Sequence, residues 1–459
     1  MRQITAVGRT TLYSGTNVLR LLRGEEARHR FRGVDPPIHR ILSLMKRSRT
    51  TTLGLKHLAF FEAVGEAKEN SPKAQSATAG LLMLRLIDHW VLAGPVMVEP
   101  ESVSVKSVRG AIMQLDATDP TREVLLGLVN TMQTVREVDI QPVLPRLFAY
   151  AGCLETRVEL TLAADVYGTI ARLAEEDFDG DLLIDSFLRL GYCQRMLGTL
   201  SDAESSYATA GKIAKRQKET ARALRSRIGI ALVVMTRGNL PKAEQLLIEV
   251  ANESERVDCA EEHARALNVQ ASLAYRRGAL GGAVRLAYQA LCRTTAASER
   301  DLILGDIGGY LIMMDRFDAA RDALMILEAT GATEIVRLNA RVNMVALGAR
   351  AGDENLFRTS RARLEGVVLH AEAQVNYLIE SARGLRAFGE GESARSLLES
   401  ARDLAVEHNM NRSVFEAEEM LANRSAPIGN KSSGIRIEET DTAAEVEQEL
   451  RKMARTVAT

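Results

Sequence analysis

The sequence predicts an all-α fold, an α-solenoid of stacked antiparallel helical hairpins, and three observations carry that expectation. First, Gly198, Gly238, Gly278, Asp315, Gly352 and Gly389 follow one another at steps of 40, 40, 37, 37 and 37 residues. Each stands five positions before a small or aromatic residue, in turn Ala203, Ala243, Ala283, Ala320, Phe357 and Ala394. Periods of this size mark supersecondary units that cannot bury their apolar faces alone and therefore stack. Second, Ala, Leu, Arg and Glu dominate, while aromatic residues make up 4% and prolines number 10. Such a composition favours helices and leaves few turn signals for strands. Third, from Leu53 onward the apolar residues fall at helical spacing.

Composition also narrows the function classes. Hydrophobic content of 46%, charged content of 26% and a formal charge of −1 describe a soluble packed chain with no global attraction to nucleic acid or anionic lipid. The most apolar window, Leu81 to Val98, is interrupted by Arg85, Asp88, His89 and Pro95, so it reads as a buried helix and no membrane partner is expected. The opening residues MRQITAVGRTTLYSG carry no apolar core of a secretory signal, so a cytoplasmic location is expected. Cys153, Cys193, Cys259 and Cys292 lie too far apart for a CxxC metal knuckle and read as free buried thiols.

Taken in order, residues 1–50 form a basic, irregular arm or cap. Arg20, Arg23, Arg28, Arg30, Arg32, Arg40, Lys46, Arg47 and Arg49 face only Glu25, Glu26 and Asp35 there. Clustered arginine can contact phosphate or an acidic partner without any fold, although no helix-turn-helix pattern is visible. Residues 51–138 read as degenerate helical hairpins. Their helices run from Leu53 through Phe61, over Pro72–Ala93, over Glu101–Leu115 and from Thr121 to Arg136, the last opened by the Asp119-Pro120-Thr121 start signal. Pro142 and Pro145 open the next helix, and residues 139–422 hold about seven repeats. Residues 423–437, rich in Ser, Gly, Asn and Pro, read as a linker. Residues 438–459 form a last helix, with a Thr442-x-x-Glu445 capping box and an apolar seam of Ala443, Val446, Leu450 and Met453. That helix is expected to cap the array, to form a homodimer, or to occupy a groove.

Within FLRLGYCQRMLGTLSDAESSYATAGKIA, residues Leu190-Gly191, Gly198, Leu200, Ala203, Tyr207 and Ala210 stand at the spacings of L-G, turn glycine, leucine, alanine, aromatic and alanine. The segment resembles a tetratricopeptide repeat, and the resemblance implies a right-handed solenoid that works as a protein-binding surface. Small residues at the points of Gly191 and Ala203 let two helices approach, and Tyr207 fills the space between hairpins. The register extends to Ala231, Gly238, Leu240, Ala243 and Leu247; to Ala271, Gly278, Leu280, Ala283 and Ala287; to Gly308, Phe317, Ala320 and Leu324; and to Ala382, Gly389, Ala394, Leu398 and Ala401. Upstream it is placed on Gly152, Ala164, Gly168 and Ala171. The unit around Val345, Gly352 and Phe357 departs most, with Phe357 at the alanine point and Arg361 at the aromatic one.

In stacked hairpins the first helices line the concave face. Positions −6, −3, −2, +1, +4 and +5 from the Gly191 point predict a peptide groove. It is lined by Arg189, Tyr192, Arg195, Arg225, Arg265, Asn268, Tyr275, Arg276, Asn339, Asn343, Arg350, Asn376, Arg383 and Arg386, with Arg146 and Arg157 upstream. The acids at these positions are only Asp185, Asp306 and Glu380. Arginine pairs carboxylates bidentately and asparagine can bond an extended backbone, so an acidic peptide or protein segment is the expected ligand. The Lys-x-x-x-Asn, Asn, Lys-x-x-x-Arg set of carboxylate-clamp repeats is missing: Leu188 and Tyr192, Ile228 and Leu232, and Asn268 and Ser272 stand in its place.

No catalytic constellation emerges. His29, His39, His57, His89, His263, His370 and His408 form no metal spacing and read as surface or packing residues. Gly305, Gly308 and Gly309 lack the strand and Lys-Ser/Thr of a phosphate loop, Cys153 and Cys193 read as small packing residues, and Asp177, Asp179 and Asp181 read as a solvated turn. No cofactor or metal is expected. The sequence therefore points to a non-enzymatic interaction module, an adaptor or scaffold. The alternative is a helical-repeat regulatory sensor, responsive to a peptide or partner, whose basic arm touches nucleic acid or an acidic partner.

Overall fold

A computed structural model describes residues 56–68, 71–93, 99–134, 139–174, 176–367, 369, 371–407, 410–422 and 437–458. The 1–50 arm, the linker up to residue 436, and His29, His39, His370 and His408 lie outside the described residues. Among the described residues there are 20 α-helices and no strand. The chain divides into two compact units, residues 1–230 and 231–459.

The first unit contains α1 (Leu58–Glu66), α2 (Pro72–Ala93), α3 (Val103–Met113), α4 (Pro120–Thr134), α5 (Leu144–Thr156), α6 (Leu160–Leu173), α7 (Glu176–Met196), α8 (Leu200–Arg216) and the start of α9 (Thr220–Thr236). Helix α3 is capped by Ser102, whose hydroxyl accepts from the Val105 amide, and α4 by Asp119, which accepts from the Thr121 amide. Consecutive helices pack on one another around Phe60, Met83, Leu84, Ile87, Trp90, Ile112, Leu125, Leu128, Tyr150 and Tyr167, all fully buried.

The second unit holds the rest of α9 and then α10 (Leu240–Arg256), α11 (Ala260–Arg276), α12 (Leu280–Leu291), α13 (Ala297–Met313), α14 (Phe317–Thr330), α15 (Glu334–Ala351), α16 (Glu354–Ala362), α17 (Ala371–Ala387), α18 (Gly391–Glu407), α19 (Asn411–Ala422) and α20 (Ile437–Ala458). Neighbouring helices again pack pairwise, and the first helices α11 and α13, α13 and α15, and α17 and α19 also touch.

One turn recurs in both units. Gly198, Gly238, Gly278, Asp315, Gly352 and Gly389 all have left-handed backbones, with φ between 58° and 87°. In each case the next amide bonds back five residues to a carbonyl: Thr199 to Gln194, Asn239 to Val234, Ala279 to Ala274, Arg316 to Leu311, Asp353 to Gly348 and Glu390 to Leu385. This is a Schellman end to the first helix of each hairpin, which satisfies its last carbonyls and reverses the chain. A seventh copy occurs at Val158 (φ 60°), with the Glu159 amide on the Leu154 carbonyl.

Val158 corrects the register of the first repeat by one residue. It lies 40 residues before Gly198, and the small and aromatic positions fall on Ala151, Ala163, Tyr167 and Ile170, all fully buried. Gly152, Ala164, Gly168 and Ala171 are only half-buried. The slip arose because a β-branched residue rarely adopts a left-handed backbone, so no turn signal stood at the right place.

Aromatic fillers are matched by glycines. The Tyr207 ring lies where Cβ atoms on Gly191 and Gly229 would collide with it, at 3.0 and 2.4 Å. The divergent repeat uses the same device. Phe357 is fully buried, its backbone against Gly348 and its ring against Gly384, where a Cβ would fall 2.2 Å from a ring carbon. The phenylalanine at the alanine point is thus accommodated by glycines on both neighbouring helices. Arg361 stacks its guanidinium over that ring at 5.6 Å.

Helix α20 lies along α12 and α14, the second helices of two hairpins. Ala443, Val446, Leu450 and Ala454 are buried there, and Glu447 faces Arg316 at 3.5 Å. Ala454 takes the seam position expected for Met453, which is only partly buried. The apolar seam is therefore covered by its own chain, on the flank of the repeats. Of the four cysteines only Cys193 is buried; Cys153 and Cys259 are half-buried and Cys292 is exposed, correcting the expectation of uniformly buried thiols.

Candidate functional site

The first helices carry polar residues that pair from one hairpin to the next. In the first unit Arg189 on α7 reaches Glu155 on α5 at 3.2 Å, and Arg222 on α9 reaches Asp185 and Asp181 on α7 at 3.0 and 3.1 Å. The Arg195 guanidinium covers the Tyr192 ring at 5.7 Å, and Arg225 is half-buried. In the second unit Arg350 on α15 reaches Glu380 on α17 at 3.3 Å, and Arg383 bridges Glu380 and Glu416 at 3.0 and 2.9 Å. Arg386 donates to the Met420 carbonyl at 2.7 Å. Asn339 and Asn343 are half-buried on α15, and Asn376 is exposed on α17.

These pairs offset the positive excess read from the groove positions. Glu262, Glu299 and Glu416 lie outside the six predicted positions, and Glu155 falls on one of them only in the corrected register of the first repeat, yet their carboxylates reach into the same rows. Side chains this long span a helical turn, so positional counting on single helices misses partners supplied by the next hairpin.

The densest row joins α11 and α13. Arg265, Asn268, Ser272 and Tyr275 stand at 3, 4 and 3 spacing and so share one face of α11. Glu299, Asp306 and Tyr310 form the opposing stripe on α13. Arg265 Nε donates to Glu299 at 2.8 Å and its Nη1 to Glu262 at 3.0 Å. Asn268 Nδ2 donates to Asp306 Oδ2 at 3.1 Å. The Ser272 and Tyr310 hydroxyls lie 3.2 Å apart, and the Tyr275 and Tyr310 rings stack with centroids 5.2 Å apart and planes inclined by 29°. Arg276 ends the row, exposed and without an ion pair among the described residues. The stripe runs about 16 Å along α11, at 1.5 Å per residue.

Its electrostatics are uneven. Arg265 faces two carboxylates, whereas no Lys, Arg or His among the described residues pairs with Asp306. Burial pushes the Asp306 carboxyl up to about 6, and the Asn268 bond that favours its charged form is outweighed, with Glu299 adding repulsion. Asn268 is 4% exposed, and its Oδ1 accepts no hydrogen bond. Two acceptors therefore stand together without a cation.

The first unit buries charge differently. His57 starts α1 with a left-handed backbone (φ 61°), and its fully buried imidazole lies between Asp165 on α6, 2.7 Å from Nδ1, and Asp88 on α2, 3.3 Å from Nε2. Burial alone would lower the His57 pKa; the hydrogen bonds and charges of Asp165 and Asp88 raise it above its ordinary 6.5. Burial likewise opposes ionisation of Asp88, yet His57 and Lys56 hold it below its ordinary 3.8. His57 is thus a clamp joining three helices, a role that its lone position in the sequence does not reveal.

No group of three or more His, Cys, Asp or Glu side chains among the described residues could hold a metal ion. Asp177, Asp179 and Asp181 lie within helix α7 and not in an inter-helix turn, and Asp181 is exposed and paired with Arg222. No described helix is long and apolar enough to cross a membrane. No protein-family model matches the chain, and a search of curated proteins finds no match.

Proposed function

We propose that the protein is a non-enzymatic interaction module, an adaptor or scaffold of the cytoplasm, whose hairpins stack within each unit in the right-handed sense of tetratricopeptide-like repeats. Its partner is a protein segment laid along the first-helix face of the second unit. The α11–α13 row supports this reading: a 3, 4, 3 stripe of Arg265, Asn268, Ser272 and Tyr275 faces Glu299, Asp306 and Tyr310, partly exposed and with unequal charge. An acidic segment there meets one unpaired guanidinium, that of Arg276, and competes with Glu262 and Glu299 for Arg265. The regulatory alternative draws on α20, an element of the chain's own tail that occupies the second-helix face of α12 and α14. A sensor could exchange such an element for a partner.

Selection of ligands from a random peptide library on the immobilised chain, followed by hydrogen exchange, tests the reading. Selected peptides should slow exchange in residues 265–276 and 299–310. Ligands that protect other segments and leave these unchanged would remove it.

A further inference from the structure

We infer that the α11–α13 stripe receives a cationic group of the partner, an ammonium or guanidinium seated against the Asp306 carboxylate and the Tyr275–Tyr310 ring pair. This rests on the reading of that face as a binding surface and reverses the charge expected of the ligand.

Asp306 differs from the carboxylates that pair across the first-helix row; Glu261 and Asp301 also form no ion pair among the described residues, but Glu261 accepts from Thr294, Thr295 and Ala296 and Asp301 from the Ala332 amide. Glu155 has Arg189, Asp185 has Arg222, Glu299 has Arg265, and Glu380 has Arg350 and Arg383. Among the described residues Asp306 has only the amide of Asn268. Arg265, three residues before Asn268 and on the same face of α11, is held by Glu262 and Glu299 and so does not serve Asp306. Asn268 is itself buried, and its Oδ1 lacks a donor. A buried acceptor without a donor is costly, and Asn268 Oδ1 beside the Asp306 carboxylate, which has one amide donor and no cation among the described residues, defines a place for a group rich in N–H. Ammonium and guanidinium are the side-chain groups that supply several donors and a charge.

The aromatic pair points the same way. The Tyr275 and Tyr310 rings stack at 5.2 Å, about two turns along α11 from Asn268 and one turn along α13 from Asp306. Ring faces attract cations, most strongly where water is partly excluded. Asp306 and Tyr275 are half-buried, so a ligand side chain reaches them from solvent. The row holds the Glu262, Glu299 and Asp306 carboxylates against the Arg265 guanidinium, with Arg276 at its end, and so favours a positive guest at its centre.

The test uses the full chain and four capped tetrapeptides, of lysine, arginine, glutamate and serine, with calorimetry in two buffers of different ionisation enthalpy. The lysine or arginine peptide should bind at least tenfold more tightly than the glutamate and serine peptides, and the better of the two identifies the source of the cation. Near pH 6 its binding should release protons, because the guest draws Asp306 into its charged form. Asp306→Asn should cost at least tenfold in affinity and abolish the proton release, while the melting temperature stays level or rises. A purely structural Asp306 would lower the melting temperature and leave affinity unchanged, and that result overturns the assignment. Binding of the glutamate or serine peptide instead, mapped by exchange to residues 265–276 and 299–310, overturns the cation and leaves the binding face standing. Absence of protection there with every peptide overturns both.

Discussion

His57 in the first unit and Asp306 in the second are both ionisable groups taken out of water, and they differ in company. His57 lies between two carboxylates, so each charge it loses to solvent is returned by a neighbour. Asp306 has one neutral amide and a repelling Glu299. Compensated burial joins helices; uncompensated burial costs stability and is retained where another molecule completes it. The contrast separates a structural cluster from a candidate site without reference to any catalytic residue.

The largest break in this comparison comes from His57→Ala. It strands Asp88 and Asp165, whose side chains are 9% and 14% exposed, with Lys56 as the adjoining cation. Removing one member of a buried pair costs about 3 to 5 kcal/mol, so a loss of about 3 kcal/mol is expected. Trp90, the single tryptophan, is fully buried on α2, the helix that carries Asp88, so its fluorescence in a urea titration reports the first unit. An unchanged midpoint would show that the cluster carries no net stability.

Acidity sharpens the contrast at somewhat smaller cost. His57 has a raised pKa, so its contribution is full below 6.5 and is lost as pH rises through its folded value. Asp88 has a lowered pKa, so its contribution is full above 3.8 and is lost as pH falls. The Trp90-reported transition should therefore be most stable between about pH 4 and 6.5. Asp306, raised from 3.8 to about 6, contributes fully below 3.8 and loses that contribution as pH rises through about 6. At about 1.4 kcal/mol per pH unit, the cost at pH 7.5 is about 3 kcal/mol before solvent and relaxation reduce it. Asp306→Asn should recover about 1 to 3 kcal/mol at pH 7.5 and flatten the pH dependence of the second unit. A stability loss at neutral pH would mean that Asp306 has a counter-charge after all.

How much of this was legible depends on whether the signal is local. The hairpin turns were read directly, because a left-handed residue five positions before a small one is a single-chain pattern, and Asp315 was placed by spacing alone. The α11 half of the site was read from helical phase, since Arg265, Asn268, Tyr275 and Arg276 sit at fixed offsets from Ala271. The α13 half is only partly visible: Asp306 falls on a counted position, whereas Glu299, nine residues before Gly308, and Tyr310, two after it, stand off the counted offsets and are brought in by their contacts with Arg265, Ser272 and Tyr275. The positive excess of the groove positions is overstated by the sequence because each guanidinium is counted without the carboxylate that it meets. His57 was unreadable, since Asp165 lies 108 residues away and no short-range spacing marks it.

The smallest expected effect compares one turn across the two units. In the second unit the left-handed position is filled by Gly238, Gly278, Gly352, Gly389 or Asp315 and in the first unit by Gly198 in one hairpin, whereas Val158 fills it in the hairpin before with the same return hydrogen bond. A β-branched residue pays a steric cost there that glycine does not. Val158 is exposed, 45% of its surface open to solvent, so replacing it removes little packing. Val158→Gly should raise the Trp90-reported stability by about 1 kcal/mol, the left-handed penalty less the entropy that glycine adds to the unfolded chain. Gly198→Val, in the next hairpin of the same unit, should lower it by a similar amount. If Val158→Gly destabilises instead, the valine makes contacts that its exposure conceals, and the equivalence of the seven turns fails at this one.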